Sequence, residues 1–103
     1  MLKVNPTIES MHLNNEQLIF SFSGFWYQED IEQLLQQILA NSSKISILET
    51  IKGADRENTR FVWHDKFYFA LNFDCYSQSC WLEGEDEMSS KQLKQLMEAL
   101  NIL

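Results

Sequence analysis

An α+β domain is predicted for this chain: an antiparallel sheet of about six strands in the order ββαββββα, with two amphipathic helices packed on one face. Three observations predict it. Apolar residues recur at helical spacing in two stretches, one near residues 28–40 and one closing the chain. Elsewhere they alternate with polar residues at the two-residue period of half-buried strands. Only three Gly and one Pro occur in 103 residues, which leaves little room for long irregular segments.

The elements follow in order. After Pro6, residues 7–13 and 17–23 read as a hairpin turning at Asn14-Asn15-Glu16, because asparagine tolerates left-handed backbone. Leu18, Phe20 and Phe22 give its second strand an apolar face. From Gln28 to Ala40, the positions Ile31, Leu34, Leu35, Ile38 and Leu39 form one helical stripe, with Glu29, Asp30 and Glu32 at the positive end of the helix dipole. A β-branched strand over 45–52, a polar loop over 53–58 and strands near 59–64, 67–74 and 80–84 make a meander. Ser89-Ser90-Lys91-Gln92 has capping-box spacing, and Leu93, Leu96, Met97 and Leu100 give the last helix its stripe. No internal repeat or linker divides the chain, so residues 1–103 are expected to form a single domain.

Register assigns the faces, since residues opposite one another in an antiparallel pair share a side. A three-residue loop, His64 to Lys66, places Phe61 and Trp63 with Phe67, Phe69, Leu71 and Phe73, whereas a two-residue loop splits the apolar set. A four-residue loop, Tyr76 to Ser79, then sets Cys75 opposite Cys80 and Phe73 opposite Leu82. The opposite face carries Arg60, Val62, Tyr68, Ala70, Asn72, Asp74, Trp81 and Glu83, and with both helices on the core side it is expected to lie uncovered.

Composition narrows the functions. Hydrophobic residues at 45%, with seven Phe, three Trp and three Tyr, exclude disorder and require a filled core. Fifteen acids against eight bases give a net charge of −7, which repels phosphate backbones, so no nucleic-acid partner is expected. No apolar run approaches the ~18 residues of a membrane span, and Met1 to Pro6 does not resemble a signal peptide. A cytoplasmic protein without a membrane partner is therefore expected, with Cys75 and Cys80 as reduced thiols.

Specific chemistry is sparse. Cys75 and Cys80 lack CxxC spacing, and only His12 and His64 could join them around zinc, so no metal is expected. The acidic run Glu83 to Glu87 lacks the alternating ligands of an EF-hand. His64, Asp65 and Asp74 suggest acid–base work, but the meander puts His64 at the opposite end from Ser77 and Ser79, so no catalytic triad is expected. Neither a catalytic residue nor a cofactor is assigned. The candidate binding constellation is Trp81 and Tyr68 beside Asn72, Asp74, Arg60 and Glu83, which offers aromatic anchors and a planar donor of the kind enriched at interfaces.

The stretch FALNFDCYSQSCWLE (Phe69 to Glu83), with the preceding RFVWHDKFYF, is similar to short proteins of a gammaproteobacterial family of unknown function. That resemblance implies a small bacterial cytosolic protein and carries no activity. The favoured function is a non-enzymatic protein-interaction module, self-associating or binding another protein. One alternative is an acidic adaptor, inhibitor or immunity-type protein for a basic partner. The other is a small enzyme using Asp74 or Glu83 as its acid or base beside Trp81.

Overall fold

The computed structural model describes residues 6–102. Its sheet has six antiparallel strands: β1 Ile8–Asn14, β2 Gln17–Phe22, β3 Ile45–Lys52, β4 Arg56–Trp63, β5 Phe67–Asp74 and β6 Ser79–Gly84, in the spatial order β1-β2-β6-β5-β4-β3. The meander β3 to β6 runs from one edge inward, and the N-terminal hairpin completes the sheet by laying β2 against β6, with Leu18 opposite Leu82. Among the described residues, no helix is long and apolar enough to cross a membrane.

The first hairpin turns at Asn15-Glu16, with Asn15 left-handed at φ 51°. The β4–β5 hairpin uses the three-residue loop His64 to Lys66, so that Trp63 opposes Phe67 and Phe61 opposes Phe69. Its tightness is met by positive φ at His64 and Asp65. The Phe61 and Phe69 rings stack at 5.6 Å.

Three expected boundaries are corrected. The polar loop placed at 53–58 is shorter, because β4 begins at Arg56 and pairs from there with Asp74. The β5–β6 loop is Cys75 to Gln78, so Phe73 opposes Cys80 and Leu71 opposes Leu82. Cys75 therefore does not face Cys80. The third correction concerns Ser89, which does not cap the closing helix. Asp86 caps a short α2 (Glu87–Ser90) by accepting from the Ser89 N–H at 2.7 Å, and α3 (Leu93–Leu100) follows separately. Ser89 is buried, and its hydroxyl accepts the Tyr68 N–H at 2.8 Å, joining α2 to β5.

The helical stretch from Gln28 opens as a 3-10 turn, Gln28–Asp30, and continues as α1, Ile31–Leu39. One hydrophobic cluster joins Ile31, Leu34 and Ile38 of α1 and Leu93, Leu96 and Leu100 of α3 to Leu18, Phe61, Phe69, Leu71, Phe73 and Leu82 of the sheet. At its end sits Trp26, 1% exposed, edge-on to Phe73 at 5.7 Å and to Phe22 at 6.2 Å. Gln78, left-handed at φ 57°, binds the Trp26 backbone twice: its Oε1 accepts the Trp26 N–H at 3.0 Å and its Nε2 donates to the Trp26 carbonyl at 2.7 Å. The β5–β6 loop is thereby pinned to the segment that leads into α1.

Candidate functional site

Pairing across the sheet face opposite the core generates a row of side chains: Ile51 on β3, Asn58 on β4, Asn72 on β5, Trp81 on β6 and Ile19 on β2. The β pleat puts all of them on one side, because directly paired residues share a face. Trp81 is half-buried, with shallow grooves on both flanks. One, of about 400 Å³, is lined by Gln17, Ile19, Ser21, Gln78 and Ser79. The other, of about 250 Å³, is lined by Ile51, Gly53, Arg56, Asn58 and Asn72.

The polar neighbours of Trp81 are tied to one another. Asn58 Nδ2 donates to Asn72 Oδ1 at 2.6 Å, and Asn72 Nδ2 lies 3.4 Å from Glu83 Oε1, a chain crossing three strands. The Glu83 carboxylate is the outermost acceptor of that chain and is partly open to water.

Arg60 is drawn away from the row. Its Nη1 reaches Glu49 at 2.9 Å and its Nε reaches Glu85 at 2.8 Å, and these two carboxylates raise the guanidinium pKa beyond its ordinary value. β5 lies between β4 and β6, so the bridge to Glu85 passes over β5, and the Arg60 stem covers its direct partner Ala70. Val62 and Ala70 are buried, which corrects the expectation of an uncovered face: it is open around Trp81 and closed around Ala70. Asp74 is likewise engaged, pairing with Arg56 at 3.3 Å and accepting the Ser77 N–H at 3.3 Å as the brace of the β5–β6 turn. Tyr68, 39% exposed, stands two rungs from the Trp81 row on the same face, beyond Ala70 and Glu83. The six predicted site residues thus share a face but separate into Trp81, Asn72 and Glu83 at its open part, Arg60 in a clamp, Asp74 at a turn and Tyr68 at the far end.

The acidic run resolves into individual duties. Glu85 holds Arg60, Asp86 caps α2, and Glu87 lies 3.5 Å from Lys91. Among the described residues, no three His, Cys, Asp or Glu side chains come together as a metal site requires.

Sequence reasoning passed over one titratable group. Glu57, placed in a loop, lies on the core face opposite Phe73 and is 7% exposed, at the mouth of a groove of about 260 Å³ beside Glu32, Leu35, Ile47, Thr50 and Lys52. Burial raises its pKa, Lys52 at 3.9 Å counteracts this, and Glu32 adds to the rise. Its alternation with Thr59, Phe61 and Trp63 was the available signal, hidden by the polar neighbours Arg56 and Asn58. The group can donate a hydrogen bond when protonated, and the groove sets it beside the Lys52 ammonium at 3.9 Å and the paired hydroxyls of Thr50 and Thr59, 3.1 Å apart.

No curated protein and no solved structure matches the chain. A family model does: residues 7–101 match the family described as "Protein of unknown function (DUF3630)", and the chain belongs to that family.

Proposed function

We propose that this member of the family is a non-enzymatic interaction module that holds a basic segment of a protein partner across the open sheet face at Trp81. The observation that carries the reading is Trp81 itself, a half-buried indole flanked by two grooves and set beside the Asn58–Asn72–Glu83 chain. Aromatic anchors in such settings dominate binding energy. In this reading α1 and α3 both cover the core face, which leaves the Trp81 face for the partner.

The charge of the partner follows from the groups around the anchor. Glu49, Glu83, Glu85 and Asp74 stand against Arg56 and Arg60, and both arginines are already paired with carboxylates. Together with the net charge of −7, this favours a Lys- or Arg-bearing surface and speeds encounter with it. The adaptor, inhibitor or immunity role is thus a narrower version of the same reading. Asp74 and Glu83 serve it as structural and contact groups rather than as an acid and base. The free thiols Cys75 and Cys80, and the resemblance to gammaproteobacterial proteins, suit a bacterial cytoplasm.

The test is an amide and indole NMR titration with synthetic peptides that carry an aromatic residue among lysines, matched by peptides with glutamates instead. The lysine peptides should shift the Trp81 indole, Asn72 and Glu83, and the shifts should shrink at ~0.5 M salt, where screening acts within a few Å. Equal responses to both peptide sets, or an unchanged response in Trp81→Ala, count against the reading.

A further inference from the structure

The sheet has two edges, and they are unlike. β1 exposes Glu9, Ser10, His12 and Asn14 with one aliphatic, Leu13. β3 is exposed along all but its first residue and presents Ile47, Leu48 and Ile51, 50%, 46% and 57% exposed. A long aliphatic edge strand is a template for another strand.

The direction of the β3 backbone groups can be read from the ends of its ladder with β4. The His64 N–H donates to the Lys44 carbonyl at 3.0 Å, and the Gly53 N–H donates to the Arg56 carbonyl at 2.7 Å. Antiparallel ladders alternate between hydrogen-bonded and non-hydrogen-bonded pairs. Counting inward from Lys44, Ser46 turns toward β4 while Ile45 and Ile47 turn away; counting inward from Gly53, Ile51 and Glu49 turn toward β4 while Lys52 and Thr50 turn away. The change from odd to even positions happens at the β-bulge between Ile47 and Glu49, where Leu48 is the extra residue.

We propose that two copies of the chain pair antiparallel through β3 about a two-fold axis between Leu48 and Glu49. A two-fold contact requires that each pairing hold in both directions. Setting Ile45 of one copy opposite Lys52 of the other, and Ile47 opposite Thr50, satisfies that requirement and matches all four outward-facing residues to outward-facing residues. A regular strand cannot centre such a match between two residues; the bulge makes it possible. Moving the axis onto Glu49 opposes two glutamates, and moving it onto Leu48 opposes Lys44 to Lys52. Either shift also sets outward groups against inward ones. Sliding by two pairings keeps half of the matches. In the proposed register no like charges are opposed, and the exposed Ile47 and Ile51 are covered by Thr50 and Ser46 of the second copy.

Light scattering across dilution on the full chain tests the pairing, and a dimer is expected. Ile47→Pro removes an N–H that points away from β4, so it should leave the circular dichroism unchanged and yield monomers. Register is tested in a Cys75→Ser background: Leu48→Cys mixed with Glu49→Cys should cross-link faster than either variant alone. This second arm stands even if the proline variant fails to fold. Because each copy carries −7, ~0.5 M salt should tighten the dimer by screening its repulsion, opposite to its effect on basic-peptide binding. Trp81→Ala should remain dimeric, which separates this pairing from the reading of the Trp81 face. A monomer at every concentration, a dimer indifferent to Ile47→Pro, or faster cross-linking of Glu49→Cys with itself overturns the proposal.

Discussion

The backbone nitrogen of Ser90 lies 2.5 Å from the point where a Cβ on Gly84 would sit, and the Ser90 hydroxyl lies 2.6 Å from it. Gly84 ends β6 opposite Phe69, and its φ is not positive, so what it supplies is space rather than unusual backbone. That space lets α2 fold back over the end of β6. Gly84→Ala is expected to cost about 1–3 kcal/mol, the usual penalty for overpacking against backbone that cannot move aside. Urea denaturation measures it, and loss of the Tyr68 amide's exchange protection would report the displaced Ser89.

Asp86 supplies stability that depends on its charge. The Ser89 N–H lowers its pKa, so its contribution is present above the unfolded carboxyl pKa and is lost as pH falls through the folded one. Asp86→Ala should lower Tm by a few degrees at pH 7, and the difference from wild type should vanish in acid. Thermal melts from pH 7 down to ~2.5, below the usual carboxyl range, measure the convergence.

Glu57 has the opposite sign. Its pKa is raised chiefly by burial, so its contribution to stability is most favourable below the unfolded pKa and declines as pH rises through the folded value. Glu57→Gln keeps the shape and removes the buried charge. It is expected to match or exceed wild-type stability at pH 8, by roughly 1 kcal/mol or less, and to lose that advantage near pH 4. The same melts decide it, and a gain that persists in acid would show that charge is not its origin.

The two thiols should behave differently. Cys80 is buried opposite Phe73, and burial pushes its pKa well up, whereas Cys75 is half-buried at the loop and donates weakly to the Trp26 carbonyl at 3.6 Å. A thiol-reactive dye at pH 8 should label Cys75 in the folded protein and reach Cys80 only on unfolding, because the thiolate is the reacting form. Mass spectrometry of the labelled peptides distinguishes the two.

Parity accounts for what could be read ahead of the structure. The loop His64 to Lys66 was legible because only a three-residue turn keeps Phe61, Trp63, Phe67 and Phe69 on one side. The next turn was not, because shifting it by one residue at each end preserves every face and parity cannot choose. What chooses is distant: Gln78 reaches the Trp26 backbone, and Asp74 takes the Ser77 N–H. The start of β4 was obscured for a similar reason, since Arg56 and Glu57 resemble loop residues until Asp74 and Lys52 lie beside them. The candidate residues could be assigned to a face from sequence. Which of them remain open could not, because Arg60 is occupied by Glu85, a residue beyond the end of β6.

The seam between β2 and β6 joins the two ends of the chain's strand order. Every other strand contact closes over a turn or a short loop, apart from this one, which brings Leu18 to Leu82 only after α1 and the whole meander have been gathered between them. Ring closure over so long a span grows costlier with length and slows folding. The N-terminal hairpin is therefore expected to dock after the meander has formed, so that the β2 amides gain exchange protection later than those of β4 and β5. The two hydrogen bonds of Gln78 to the Trp26 backbone then tie the segment between that hairpin and α1 to the β5–β6 loop.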